Sequence, residues 1–367
     1  MRIGVPRETT AGERRVGLVP ESVTRLKKAG VDVRVQRGAG TSAYVTDEAY
    51  AAAGARLVDD ASAVFGDCDV ICKVQRPSPA ESALVREGAL LISLLQPSSS
   101  ADTLAALNAR RVTALALERV PRITRAQSMD ILSSQATVAG YKAVLLAATH
   151  TSKLLPMLTT AAGNIPPAKA FVVGAGVAGL MAIATARRLG AVVSGYDVRA
   201  AAREQVLSLG ATFIGPEPQA DAEAAGGYAR EQTEEEKAKT LAALAAHVTT
   251  QDLIITTAQI PGRPAPRIIT AEMVHSMRPG TVLIDMAAET GGNCELTVAG
   301  EVVDVNGVTI VGAVNLPSST PYHASVMFSK NVLTLLQHMI KDGALGLNLE
   351  DEIIGPMCVA HDGASRA

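Results

Sequence analysis

KAFVVGAGVAGLMAIATARRLGAVVSGYDVR, residues 169–199, reads in order as a short apolar strand, a glycine-rich turn, a helix, a second strand and an aspartate. Gly174, Gly176 and Gly179 form GxGxxG directly after the first strand and at the start of the helix. The first glycine permits the tight turn, the second lets the backbone approach a pyrophosphate, and the third lets helix and strand pack closely. Unpaired amides and the positive end of the helix dipole then face the phosphates. A lone GxGxxG is weak evidence. Here Gly190 closes the helix, a second strand follows, and Asp197 stands about 20 residues past the glycines, which completes the fingerprint. A carboxylate there accepts the adenosine ribose hydroxyls and repels a 2′-phosphate, so the spacing favours NAD(H) over NADP(H). Arg199 counts the other way, because an arginine nearby accommodates that phosphate.

Working outward, strand and helix keep alternating on both sides of this unit. Residues 2–5, 31–36, 70–74, 90–95 and 112–117 read as strands, with helices at 21–29, 46–53, 77–86 and 101–110 between them. Residues 128–155 turn helical and largely apolar, until Pro156, Gly163, Pro166 and Pro167 break the pattern. Further strands are expected at 171–173, 192–196, 212–214, 253–257, 282–285 and 309–311, with Thr270 capping a helix over 271–277. A last helix over 325–340 is expected to return to the first domain, and the tail after Gly343 shows no clear pattern. The expected fold class is α/β, with two doubly wound, Rossmann-like parallel sheets joined by long helices. Residues 1–130 with 325–367 form a discontinuous N-terminal domain. Residues 131–324 form the NAD(H)-binding domain. Residues 215–236, GPEPQADAEAAGGYAREQTEEE, are polar and acidic with Pro and paired Gly, and read as an exposed, mobile loop.

Composition narrows the function classes. The chain has 367 residues, enough for two domains, and 3% aromatics with no Trp, so Ala, Val, Leu and Gly do the packing. A net charge of −2 without a basic stripe argues against nucleic acid. No signal peptide opens the chain, and the longest apolar run is read as 171–186, too short for the roughly 20 residues of a span. No direct membrane span is therefore expected. Cys68, Cys72, Cys294 and Cys358 lack metal-ligand spacing and read as buried thiols, so no metal is expected and a reducing cytosol fits. A dehydrogenase acting on a hydroxy or amino acid needs a general acid/base near the nicotinamide, most often His. Of the six histidines none falls at a strand end of the first domain, and His323 in PYHAS is the least easily set aside.

Several motifs then converge. MRIGVPRETTAGERRVGLVPESVTRLKKAGVDV, residues 1–33, closely resembles the N-terminus shared by alanine dehydrogenases and the NAD(H)-binding component of proton-translocating transhydrogenase, and the resemblance runs to about residue 340. RITRAQSMDILSSQATVAGY, residues 122–141, resembles the transhydrogenase branch. There it implies that Arg122, Gln127 and Asp130, with Ser133 a helical turn on, contact the nicotinamide end of NAD(H). GGYAR at 226–230 resembles a mobile loop whose tyrosine, here Tyr228 after Gly227, closes over the nucleotide. TTAQIPGRPAP (256–266) and GGNCELT (291–297) resemble the same branch. The resemblance adds Ala175, Val177, Val198, Ala258 and Gln259 to the cofactor contacts of Gly174, Gly176, Gly179, Asp197 and Arg199. Gln232 and Gln259 depart from the residues common there, Met and Leu.

The alanine dehydrogenase branch implies a different set. Arg15 and Lys73 match its carboxylate and carbonyl positions, but Gln96 in LISLLQPS stands at its histidine position and Glu289 in IDMAAETGG at its aspartate position. Gln96 cannot shuttle a proton, whereas hydride transfer between two nicotinamides needs none at the carbon centres. The resemblance therefore implies a homodimeric, cytoplasmic subunit. It would be held at the inner membrane by membrane-spanning subunits and pass hydride to NADP(H) on a partner beta subunit, with proton translocation coupled elsewhere. The alternative is an alanine-dehydrogenase-like amino-acid dehydrogenase.

Overall fold

Runs of three to five apolar residues between polar helices form strands buried on both faces, as parallel sheets covered by helices require. Leu90–Ser93, Thr113–Ala116, Leu253–Thr256 and Val282–Asp285 are each buried along their whole length. The computed structural model describes residues 1–215, 223–224, 228–229, 234–260 and 263–366, with backbone alone for 223–224, 228–229 and 234–239. It divides into two compact units, Met1–Gln135 with Pro317–Ala367, and Ala136–Leu316. The α/β, parallel-sheet class read from the sequence is the one found.

In the first unit the sheet runs, strand by neighbouring strand, Ala364–Ser365, Cys358–His361, Thr113–Ala116, Leu90–Ser93, Val70–Cys72, Arg2–Val5, Asp32–Gln36, Arg56–Val58. Arg2–Val5 pairs in parallel with both Asp32–Gln36 and Val70–Cys72, so the winding reverses between the first strand and the fourth. The two C-terminal strands join antiparallel at the far edge. These strands correct the reading of the tail as patternless: Cys358–His361 is largely buried and covers an edge that would otherwise be open. Helix Pro321–Met339 contributes Phe328, Val332, Leu335 and Leu336 to this unit's core.

In the second unit the order is Thr212–Phe213, Val192–Tyr196, Lys169–Val173, Leu253–Thr256, Val282–Asp285, Val308–Gly312, Val302–Val305. All pairings are parallel except the last, an antiparallel edge strand the sequence reading missed. In chain order this is 3-2-1-4-5-7-6, and ligands bind such sheets at the crevice where the winding reverses. That point lies between Lys169–Val173 and Leu253–Thr256.

Helix Ile131–His150 is, by length and composition alone, long and apolar enough to cross a membrane. Its Ala139, Ala143, Val144 and Ala147 instead pack into the second unit's core. An antiparallel hairpin, Leu158–Thr160 with Gly163–Ile165, follows it where a break was expected. All four cysteines are free and buried, as read, and burial pushes the Cys72 thiol well above its usual range.

Candidate functional site

The glycine-rich turn leaves the strand Lys169–Val173 at the switch point, and its three glycines answer three constraints. Gly174 sits at φ +95°, and an added Cβ would lie 2.6 Å from Thr257 Oγ1. Gly179 has no room at all, since a Cβ there would stand 1.8 Å from the Gly174 carbonyl oxygen. Gly176 differs from both. Its backbone is extended, and among the described residues nothing beyond its own chain neighbours lies within 4 Å of where a Cβ would go. None of the described residues explains a glycine at 176, whereas a pyrophosphate laid against the N-terminus of helix Val177–Arg188 does, so the residues present fit a dinucleotide. Ala175 is buried, while Val177 is exposed at the helix entrance.

Asp197 ends the next strand, Val192–Tyr196, and reaches back to the turn. Its Oδ2 accepts the Ala175 N–H at 2.7 Å, which fixes the second residue of the motif. Arg199 closes on the same carboxylate through its own N–H and its guanidinium, with Nη2 2.9 Å from Oδ2. Val198 packs partly buried beneath them.

Across the crevice, Thr257 Oγ1 donates to the Gly174 carbonyl at 3.0 Å, tying the two strand ends together. The next peptide is held on both sides by one buried side chain. Ala258 N–H donates to Asn293 Oδ1 at 3.0 Å, and Asn293 Nδ2 donates to the Ala258 and Pro266 carbonyls at 2.8 Å. Gln259 is exposed and donates to the Met286 carbonyl. The turn that presents Asn293 is in turn held by Asp285. This fully buried carboxylate accepts from Thr256 Oγ1, Thr297 Oγ1 and the Ala287 and Cys294 amides. Thr257 and Asn293 fall inside the stretches 256–266 and 291–297, yet the sequence assigned neither a role. Asn293 was discoverable only as a buried amide matched to a peptide.

In the first unit, Thr124–Met129 is a short 3-10 turn that runs into helix Ile131–His150. Gln127 and Arg122 are exposed there. Asp130 caps the helix: Oδ1 accepts the Ser133 N–H at 2.9 Å and Oδ2 accepts the Ser133 hydroxyl at 2.6 Å. The cap is therefore Asp130, while the Ser128 carbonyl accepts from Asn331 Nδ2 on helix Pro321–Met339. Arg125 pairs with Glu352. Gly227 and Gln232 lie outside the described residues. Tyr228 is described only as backbone, in a two-residue strand paired with Glu223–Ala224.

In the other set of residues, Arg15 and Lys73 are engaged by the chain itself. Arg15, 3% exposed, gives Nε and Nη2 to Glu13 at 2.8 and 2.7 Å and Nη1 to Gln135 at 2.9 Å. Burial raises the Glu13 carboxyl, but the Arg15 hydrogen bonds and charge outweigh it and hold the group down at about 2. Lys73, wholly buried, sits 2.7 Å from Glu8 and 3.5 Å from Glu81. Burial pushes Glu8 above the usual carboxylate range against the pull of Lys73. A cavity of about 320 Å³ touches Glu8, Glu13 and Arg15. Gln96 is exposed at φ +48°, its N–H and that of Leu95 donating to Glu118. Glu289 is exposed. His323 stacks edge-on against Tyr322, His338 pairs with Asp351, and His361 meets Thr113 Oγ1.

Two family models match the chain. That for the alanine dehydrogenase/PNT N-terminal domain covers residues 4–139, and that for the C-terminal domain covers 143–367. The chain is 49% identical to an NAD(P) transhydrogenase subunit alpha protein of Rhodospirillum rubrum, over 99% of this chain and 97% of that protein. It is 29% identical to the alanine dehydrogenase of Mycobacterium tuberculosis, over 99% and 94%. Among solved structures, transhydrogenase from Sinorhizobium meliloti superposes over the whole of both chains with a TM-score of 0.91 and 47% identity.

Proposed function

The chain belongs to the alanine dehydrogenase/PNT family, and we propose that within it this is the NAD(H)-binding component of a proton-translocating transhydrogenase. It passes hydride between NADH and NADP⁺ held on a partner subunit. The observation that carries the reading is Gln96: the strand end where reductive amination needs a proton shuttle presents a side chain that cannot titrate. Gln96 lies outside the catalytic set, and its incapacity matters only to the rival chemistry.

When bound, NADH supplies the hydride at its nicotinamide C4. The chain's own residues bind and orient it. The amides at the start of helix Val177–Arg188 receive the pyrophosphate, Asp197 receives the adenosine ribose, and Ala258 and Gln259 line the same crevice. Arg122, Gln127, Asp130 and Ser133 hold the nicotinamide end, Asp130 and Ser133 doing so from a rigid helix cap. Tyr228 closes over the nucleotide and excludes water. Because hydride passes between two carbons, the rate depends on geometry rather than on a proton donor. In this reading the protein is a homodimer in the cytoplasm. It is held peripherally at the inner membrane by membrane-spanning subunits, where proton translocation is coupled.

Arg15 and Lys73 are what favour the second reading, an amino-acid dehydrogenase, yet both cations are already paired with the chain's own carboxylates. Mixed with an NADP(H)-binding partner subunit, the protein should transfer hydride from NADH to an NADP⁺ analogue, while keto acids with ammonia oxidise no NADH. Pyruvate turnover, with no exchange beside a competent partner, would replace the first reading by the second.

A further inference from the structure

We propose that Arg199 is a latch on the ribose site: it competes with the nucleotide for Asp197 and so sets both affinity and selectivity for the adenosine end. A carboxylate offers about four lone-pair positions. In Asp197 the chain fills all four. Oδ1 accepts the Arg199 N–H and Arg199 Nε, both at 2.9 Å, and Oδ2 accepts the Ala175 N–H at 2.7 Å and Arg199 Nη2 at 2.9 Å. The carboxylate is buried, its side chain 8% exposed.

The four donors are not equivalent. Two are backbone amides of the turn and the strand end, and they cannot leave without moving the main chain. The other two belong to a guanidinium whose side chain is 21% exposed, at the mouth of the site. A ribose hydroxyl that donates to Asp197 therefore displaces Arg199, and the binding energy it gains is net of a bidentate, charge-assisted pair.

Selectivity follows from the same geometry. While Arg199 is closed it neutralises the charge that would repel a 2′-phosphate. Once displaced, its planar fork matches that phosphate. The latch thus weakens NADH binding and softens discrimination against NADPH, two effects that Asp197 alone would not produce.

The inference rests on the reading of Asp197 as the ribose acceptor, and the two can be separated by measuring dissociation constants for NADH and NADPH by equilibrium dialysis. Arg199→Ala should bind NADH about tenfold more tightly, the loss of one charge-assisted competitor, and should widen the NADPH-to-NADH ratio. Arg199→Lys keeps a positive charge but supplies a single point of contact, and should fall between parent and Arg199→Ala. It carries the test should the alanine variant fold poorly. Asp197→Asn should weaken NADH and narrow the ratio. If Asp197→Asn behaves so while both Arg199 variants bind NADH no more tightly than the parent, the latch is overturned and the ribose site stands. If Asp197→Asn leaves both constants unchanged, the ribose site falls and the latch with it.

Discussion

Glu8 and Glu13 lie in one buried network and hold their protons in opposite ways. Glu13 is ionised in the folded chain down to about pH 2, against 4.5 for an unperturbed glutamate. Its contribution to stability is therefore complete above pH 4.5 and is lost as the pH falls towards 2, where the folded form also takes up the proton. The interval corresponds to something on the order of 3 kcal/mol. Glu8 is raised, so its effect falls above 4.5 and runs the other way, leaving the acid window to Glu13. Urea unfolding between pH 2 and 5 should show a steep loss of stability in the parent and a much shallower one in Glu13→Gln. Parallel curves would mean that Arg15 does not hold the Glu13 proton off. The network was only half legible: Arg15 and Lys73 stood out by resemblance, while Glu8, Glu13 and Glu81 are ordinary surface residue types until the fold buries them. The glycines were legible for the opposite reason. A positive φ at 174 and a 1.8 Å approach at 179 admit no other residue, so backbone geometry is written in residue identity. The hold of Arg199 on Asp197 is a side-chain conformation, which no residue type encodes.

Among the elements, helix Ile131–His150 meets helix Val177–Arg188 at one point with no slack. A Cβ on Gly140 would lie 2.1 Å from the Ala178 carbonyl oxygen, and Ala178 is two residues past Gly176. Gly140→Ala has to push the first turn of helix Val177–Arg188 aside. Overpacking of this kind costs about 1–3 kcal/mol, more than the roughly 1 kcal/mol of helix propensity that alanine gains over glycine. The variant should unfold at lower temperature and, because the displaced turn carries the amides proposed to receive the pyrophosphate, bind NADH more weakly. A variant as stable as the parent with unchanged affinity would show that the helices separate freely there. Gly140 looked like a mild flaw in an apolar helix, since nothing local marks the position where another helix arrives. The same limit explains the cap. Ser128 and Asp130 are both good cap residues, and only the hydrogen bonds to Ser133 and Asn331 decide which one serves. Long parallel strands were legible from their apolar runs. Val302–Val305, exposed at alternate positions, and Cys358–His361, four residues in a patternless tail, take their character from an edge supplied elsewhere in the chain.

The two sheets share one winding, and each places chemistry at its reversal: glycines, Asp197 and Ala258 in the second unit, Glu8 and Lys73 in the first. At the reversal in the second unit stands the start of helix Val177–Arg188, whose first amides have no partner within the helix. In the first, Arg15 is paired with Glu13 and Lys73 with Glu8. A ligand that binds only the folded state stabilises it by mass action, about 2.7 kcal/mol at a hundred times its dissociation constant. For a protein of this size that is a rise in Tm on the order of 5 °C. NADH at that concentration should produce such a rise in a thermal melt. Pyruvate or alanine added on top should produce none, because a carboxylate reaching Arg15 has to displace Glu13, whose affinity for that guanidinium holds its own proton off down to about pH 2. Melts with NADH alone, with NADH and pyruvate, and with NAD⁺ and alanine separate the cases. A further rise of several degrees with either amino-acid partner would show that the Arg15–Glu13 pair opens for substrate, and the amino-acid dehydrogenase reading would then take the place of the transhydrogenase one.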